Sequence, residues 1–208
     1  MKEYKAYIFD FDGTLMESMG ALILMYKHGF ESINYPFKDE DAYLYMHETL
    51  HRTFERLNLD SDKYLTFISS FDDFKNDDEV INANVPFPDA LKLIDNLLNN
   101  NKKIAILTGN DSNYCQKVLN RLGLPHFYLT VVGFNDVTNT KPDPEGIYLC
   151  LDRLGIDKKD VCYIGDSLND MLAAFNAGID GILIDRKNQY ENGNYLHIDD
   201  LTKLIINH

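Results

Sequence analysis

Apolar positions along the 208-residue chain follow two rhythms. Short runs bounded by polar or turn-forming residues have the length and the aromatic and β-branched content of buried strands. They are "KAYIFDF" at 5–11, "KIAILT" at 103–108, "FYLTVVG" at 127–133, "VCYIGD" at 161–166 and "GILID" at 181–185. Between the later runs, apolar residues recur at helical spacing, which predicts helices over 112–122, 145–154 and 168–176. A further helix starts at Pro88 and Asp89 and leaves through an Asn run, since Pro suits the first helical turn. From 21 to about 84 the character changes. "ALILMYKHGF", "AYLYMHETLHRTFERLNL" and "DKYLTFISSFDDF" carry helical spacing with no convincing strand between them. The pattern predicts an α/β fold, a Rossmann-like doubly wound parallel sheet covered on both faces, with an inserted all-α domain. The expected boundaries are 1–15 plus 86–208 for the α/β core and 16–85 for a helical insert placed as a lid.

Asp10, Thr108 and Asp166 end predicted strands, and Lys141 lies in a loop after another. In open α/β sheets that rim binds ligands. Residues two apart on an extended strand point to one side, so Asp10 and Asp12 are expected to share a site while Phe11 faces away. Paired carboxylates bind a hard cation or divide acid and base roles. Gly13 would let backbone N–H groups approach an anion, and Thr14 would orient a carboxylate by hydrogen bonding. Thr108 beside Gly109, together with the charge of Lys141, suits an oxyanion such as phosphate. Unit charges near 4 Å interact by roughly 4 kcal/mol at an effective dielectric of about 20. A phosphate dianion facing several aspartates therefore calls for Mg2+ as well as Lys141.

"DFDGTL" (10–15), "LTGN" (107–110), "TKPDP" (140–144) and "GDSLND" (165–170) resemble the four ordered motifs of the haloacid dehalogenase superfamily. The helical insert resembles the cap of its phosphoglycolate phosphatase-like branch. The resemblance implies a Mg2+-dependent phosphatase acting on a small phosphorylated metabolite: phosphoglycolate, pyrophosphate, a sugar phosphate or a nucleotide. It implies Asp10 as the nucleophile that becomes an aspartyl-phosphate, and Asp12 as the general acid/base. Thr108, Lys141 and the backbone near Gly109 and Asn110 would hold phosphoryl oxygens. Asp10, Asp166, the main-chain carbonyl of Asp12 and, from further out, Asp170 would hold the metal. Dehalogenase relatives lack an acid two residues after the nucleophile, so Asp12 favours phosphate chemistry. Thr14 leans away from the β-phosphoglucomutase-like phosphomutases, which often carry Val there. A phospho-aspartate receiver module uses similar groups but would be shorter and lack the insert.

The formal net charge of −13 disfavours nucleic acid and anionic membranes as partners. Cys115, Cys150 and Cys162 are widely spaced without a CxxC, which predicts buried free thiols and a cytoplasmic setting. The N-terminus has no signal-peptide layout, and no apolar run reaches bilayer length. "MHETLH" contains His47, Glu48 and His51 in the H-E-x-x-H zinc pattern, but no third ligand is apparent and Arg52 interrupts the extended pattern. Tyr43, His47 and His51 recur at i, i+4 and i+8, a helical face that would sort substrates or simply face solvent. The other aromatics of the insert are expected to pack. Asp72, Asp73, Asp77, Asp78 and Glu79 read as a solvated hinge.

Overall fold

The computed structural model describes residues 2–46, 50–124, 128–191, 193 and 195–206. The chain divides into two compact units, Met1–Glu17 with Pro86–His208, and Ser18–Val85. It opens with strand β1 (Ala6–Phe9) and the short β2 (Met16–Glu17). Met16 is buried, so the chain leaves the first unit two residues beyond the expected boundary at 15.

The second unit carries helices α1 (Met19–Ser32), α2 (Ala42–Met46), α3 (Leu50–Arg56), α4 (Ser61–Phe74) and α5 (Asp78–Asn82). Its core is aromatic: Tyr26, Phe30, Tyr45, Phe54 and Phe67 are buried together. Phe30 and Phe67 meet edge to face at 4.9 Å, a geometry that adds to simple area burial. A Cβ on Gly29 would lie 2.7 Å from the Phe67 ring, so the bare backbone lets α1 and α4 approach. The acidic run is exposed, as expected, and falls on two helices. Asp72 and Asp73 belong to α4, and Asp77 caps α5 by accepting from Glu79 N at 2.8 Å.

The chain re-enters the first unit through β3 (Val85–Pro86), which pairs with β2 in a two-stranded sheet. Then follow α6 (Pro88–Asn99), β4 (Lys103–Leu107), α7 (Ser112–Arg121), β5 (Thr130–Val132), α8 (Glu145–Leu154), β6 (Val161–Gly165), α9 (Leu168–Ala177) and β7 (Asp180–Ile184). A last strand, β8 (Leu196–Ile198), was not expected from its pattern; three residues are too few for a periodicity to emerge. The six-stranded sheet runs β5-β4-β1-β6-β7-β8, and every neighbouring pair is parallel. Alternation along the strands splits the core. Ala6, Ile8, Ala105, Leu107, Val161 and Tyr163 pack with α8 and α9. Ile104 and Ile106 face the other way, towards Ala90 and Ile94 of α6 and Leu119 of α7. The three cysteines are buried and free. Among the described residues, no helix is long and apolar enough to cross a membrane.

From β1 the chain moves outward to β4 and β5, then jumps back to β6 on the other side. The connections therefore reverse at β1, and the crevice at its C-terminal end is where such sheets bind ligands.

Candidate active site

Asp10 follows β1 directly, and its N–H donates to the Ile164 carbonyl of β6 at 2.8 Å. The strand does not continue to Asp12. Leu15 and Met16 N–H groups both donate to the Phe11 carbonyl, and Gly13 N–H donates to Met16 O at 2.8 Å, closing a tight turn. The charge of Asp12 still acts on Asp10, so the two remain neighbours as expected, but this turn and not strand alternation brings them together. Asp10 turns to Lys141, whereas the Asp12 carboxylate accepts from Asn110 Nδ2 at 3.2 Å. Gly13 is needed for a different reason from the one anticipated. Its φ is +77°, and a Cβ there would sit 2.0 Å from the Asp166 carboxylate. The Thr14 hydroxyl is buried without a hydrogen-bond partner among the described residues and orients no carboxylate among them.

Asp166 leaves the end of β6, and Ser167 caps α9. Ser167 and Asp170 form a capping box: Asp170 N–H donates to Ser167 Oγ at 3.2 Å, and Ser167 N–H returns to Asp170 Oδ2 at 3.1 Å. Asp170 thus points back towards the sheet, over Gly165, where a Cβ would lie 2.4 Å from its Cγ. Asp10, Asp166 and Asp170 each bring a carboxylate oxygen within 4.8 Å of the others.

Lys141 comes from the β5–α8 connection. Glu145 braces that loop by accepting from Thr138 N and Asn139 N, each at 2.8 Å, and Asn176 Nδ2 donates to Pro142 O at 2.9 Å. The ammonium donates to Asp10 Oδ1 and Asp170 Oδ1, both at 2.7 Å, and to the Tyr163 hydroxyl at 3.1 Å. Tyr163 stands in mid-strand, wholly buried, with its hydroxyl 2.8 Å from Asp170 Oδ1. Thr108 follows β4, and its Oγ1 accepts from Asn110 N at 2.9 Å. It caps no helix, because Asp111 does so for α7, accepting from Asn113 N at 2.8 Å. Gly109 lies between Thr108 and Asn110 with open space at its Cβ position.

The charges are unbalanced. Burial pushes Asp10 well above the usual carboxylate range; Lys141 opposes this, and the neighbouring aspartates add to it. Asp166 is pushed up to about 7, chiefly by burial and then by the charge of Asp170. For Asp170 burial is outweighed by Lys141, Ser167 and Tyr163, which together hold it below its ordinary value. Lys141 is likewise held above the usual lysine value, because attraction to Asp10 and Asp170 exceeds the penalty of burial. A cluster of carboxylate oxygens this crowded, with one ammonium among it, fits a hard divalent cation such as Mg2+.

The residues expected on the insert fall largely outside the described residues. His47 and Glu48 lie outside the described residues, as does the side chain of Tyr43. The His51 side chain is exposed, 3.4 Å from Glu55 and edge-on to Tyr64. Sequence reading had not singled out Tyr163 or Ser167. The S-x-x-D spacing of a capping box was the available signal for Ser167; a phenol within an apolar strand gave none.

The family model for haloacid dehalogenase-like hydrolases matches residues 7–184. Among curated proteins, pyrophosphatase PpaX of Bacillus velezensis is 30% identical over 181 residues, covering 85% of this chain and 81% of the relative. A phosphoglycolate phosphatase of Pasteurella multocida is 26% identical over 191 residues, covering 86% and 84%. A crystal structure described as a haloacid dehalogenase-like hydrolase, from Bacteroides fragilis, superposes with a TM-score of 0.80 at 26% identity, covering 98% of this chain and 100% of that one.

Proposed function

Because the chain belongs to the haloacid dehalogenase-like hydrolases, we propose that it is a Mg2+-dependent phosphatase. Its substrate would be a small phosphomonoester or pyrophosphate, hydrolysed through an aspartyl-phosphate on Asp10. The observation that carries this reading is the convergence of Lys141 on Asp10 and Asp170, both at 2.7 Å, beside Asp166 at the rim of the sheet. The names of the relatives, pyrophosphatase PpaX and phosphoglycolate phosphatase, support a small phosphorylated substrate.

In the first displacement an Asp10 carboxylate oxygen bonds to phosphorus while the bond to the leaving oxygen breaks. That oxygen takes the proton carried by Asp12. In the second, Asp12 accepts a proton from water as the water oxygen attacks phosphorus, and the Asp10–phosphorus bond breaks. Inorganic phosphate leaves, and both carboxyl groups return to their starting states. Two displacements replace one difficult step. Lys141 and the backbone around Thr108, Gly109 and Asn110 would hold the phosphoryl oxygens, since this chemistry asks mainly for alignment and charge stabilisation. Asp10, Asp166 and Asp170, with the Asp12 main-chain carbonyl, would hold the divalent ion, which when bound offsets the repulsion between the carboxylates and an anionic substrate.

The test is phosphate release from a panel of phosphorylated metabolites and pyrophosphate with Mg2+, comparing wild type with Asp10→Asn. Release by the wild type and none by the variant is expected. Isomerised hexose phosphate without net release would make the protein a mutase. Undiminished turnover by Asp10→Asn would remove the nucleophile assignment.

A further inference from the structure

Arg186 follows β7 by two residues, on the rim that carries Asp10 and Asp166, yet among the described residues it donates to neither. Its guanidinium instead ties three separate segments together. Nη1 donates to Asp89 Oδ2 at 2.6 Å, at the start of α6. Nη2 donates to the main-chain carbonyl of Thr14 at 3.0 Å, and the flat face lies over the Phe87 ring, 3.9 Å from its centre. Asp89 is itself fixed, because its Oδ2 also accepts from Leu201 N at 2.9 Å. The fork and the plane are both in use, which lysine's point charge does not reproduce.

The segment held in this way is the turn that displays Asp12. Thr14 is wholly buried and follows Gly13, whose backbone passes against the Asp166 carboxylate. One residue on, the Leu15 carbonyl accepts from Phe87 N at 3.0 Å. The carbonyl of Thr14 and the ring of Phe87 therefore meet a common guanidinium. They lie at the roots of the two crossings, which run between Glu17 and Ser18 and between Val85 and Pro86. No other side chain donates to the Thr14 carbonyl among the described residues.

We infer that Arg186 is a positioning residue, whose bond to the Thr14 carbonyl holds the turn after Asp10 so that Asp12 stands ready to exchange a proton with the leaving oxygen. The inference rests on the acid/base role given to Asp12 in the proposed function. A turn loosened at Thr14 shifts Asp12 more than Asp10, because Asp10 keeps its own backbone bond to Ile164 in the sheet. The penalty should then depend on how much the leaving group needs a proton. Departure of p-nitrophenolate needs little assistance, whereas an alkoxide leaves poorly without an acid.

Two variants separate this from general loosening. Arg186→Lys keeps a cation for Asp89. Arg186→Gln combined with Asp89→Asn removes both charges and leaves no buried carboxylate unpaired. Each is assayed with p-nitrophenyl phosphate and with glycerol 2-phosphate under saturating Mg2+, alongside a melting curve. For both variants kcat/KM, which reads the first displacement alone, should fall at least tenfold further on glycerol 2-phosphate than on p-nitrophenyl phosphate. An equal loss of kcat/KM on both esters would overturn the positioning role. So would a melting transition too low for either variant to be folded at the assay temperature, since Arg186 would then be a folding determinant. If the wild type hydrolyses neither ester nor any other phosphorylated compound, the phosphatase reading itself fails and takes this inference with it.

Discussion

Replacing Gly13 with alanine probes the site at its most crowded point. Two separable costs follow from the geometry. Gly13 has φ +77°, where an L-residue pays about 1–2 kcal/mol. Its new Cβ would also fall 2.0 Å from Asp166 Oδ2 and 2.7 Å from Cγ, so the carboxylate must move away. Gly123 is a control for the first cost alone: its φ is +72°, with nothing within 4 Å of the Cβ position. At about 2–4 °C per kcal/mol for a chain of this size, Gly123→Ala should lower the melting temperature by roughly 2–8 °C. It should leave metal binding untouched. Gly13→Ala should show a similar strain and also lose Asp166 as a ligand. Disturbing even an outer partner of a metal ligand weakens affinity by about 10–100-fold, so displacing the ligand should cost roughly 100-fold or more. The assay is thermal melting against Mg2+. At a concentration about 100 times the wild-type Kd, bound metal adds about 2.7 kcal/mol to the wild type, and RT ln 2, about 0.4 kcal/mol, to a variant weakened 100-fold. The Mg2+-dependent rise should thus be about 5–10 °C for wild type and Gly123→Ala, and about 1–2 °C for Gly13→Ala. An undiminished rise in Gly13→Ala would refute the placement of metal beside Asp166.

Three other predictions follow from the same contacts. Lys141→Ala strands the buried carboxylates of Asp10 and Asp170 and should destabilise the metal-free protein by about 3–5 kcal/mol, read by urea denaturation in chelator. Excess chelator should stop phosphate release and added Mg2+ should restore it; full turnover in chelator would remove the metal from the reaction. Asp185 accepts from Gln189 N and Tyr190 N and lies 3.1 Å from His197 Nε2; these bonds outweigh burial and hold it below its usual value. Its contribution should be complete above the unfolded value of about 3.9 and vanish as pH falls through the lower folded value. The melting-temperature gap between wild type and Asp185→Asn should therefore narrow on acidification below about pH 4.

The hydrophobic rhythm alone determined the parallel α/β class, the helical character of 21 to about 84 and the strand ends at which Asp10, Thr108 and Asp166 stand. These are local consequences of period and turn chemistry, and they survive in any chain that buries those faces. Helix ends were legible for the same reason: the run from Glu145 to Leu154 closes on Gly155, which takes the left-handed conformation. Only the tertiary structure decided who meets whom. Lys141 reaches Asp10 across 131 positions of sequence, and Arg186 reaches Thr14 across 172. No periodicity encodes such a pairing, because it depends on the strand order that sets β1 between β4 and β6. The carboxylates of Asp10 and Asp12 do act on each other, but a turn and not strand alternation brings them together. The rule holds within a strand, but β1 stops at Phe9, where the turn through Gly13 makes room for a carboxylate from the far end of the chain.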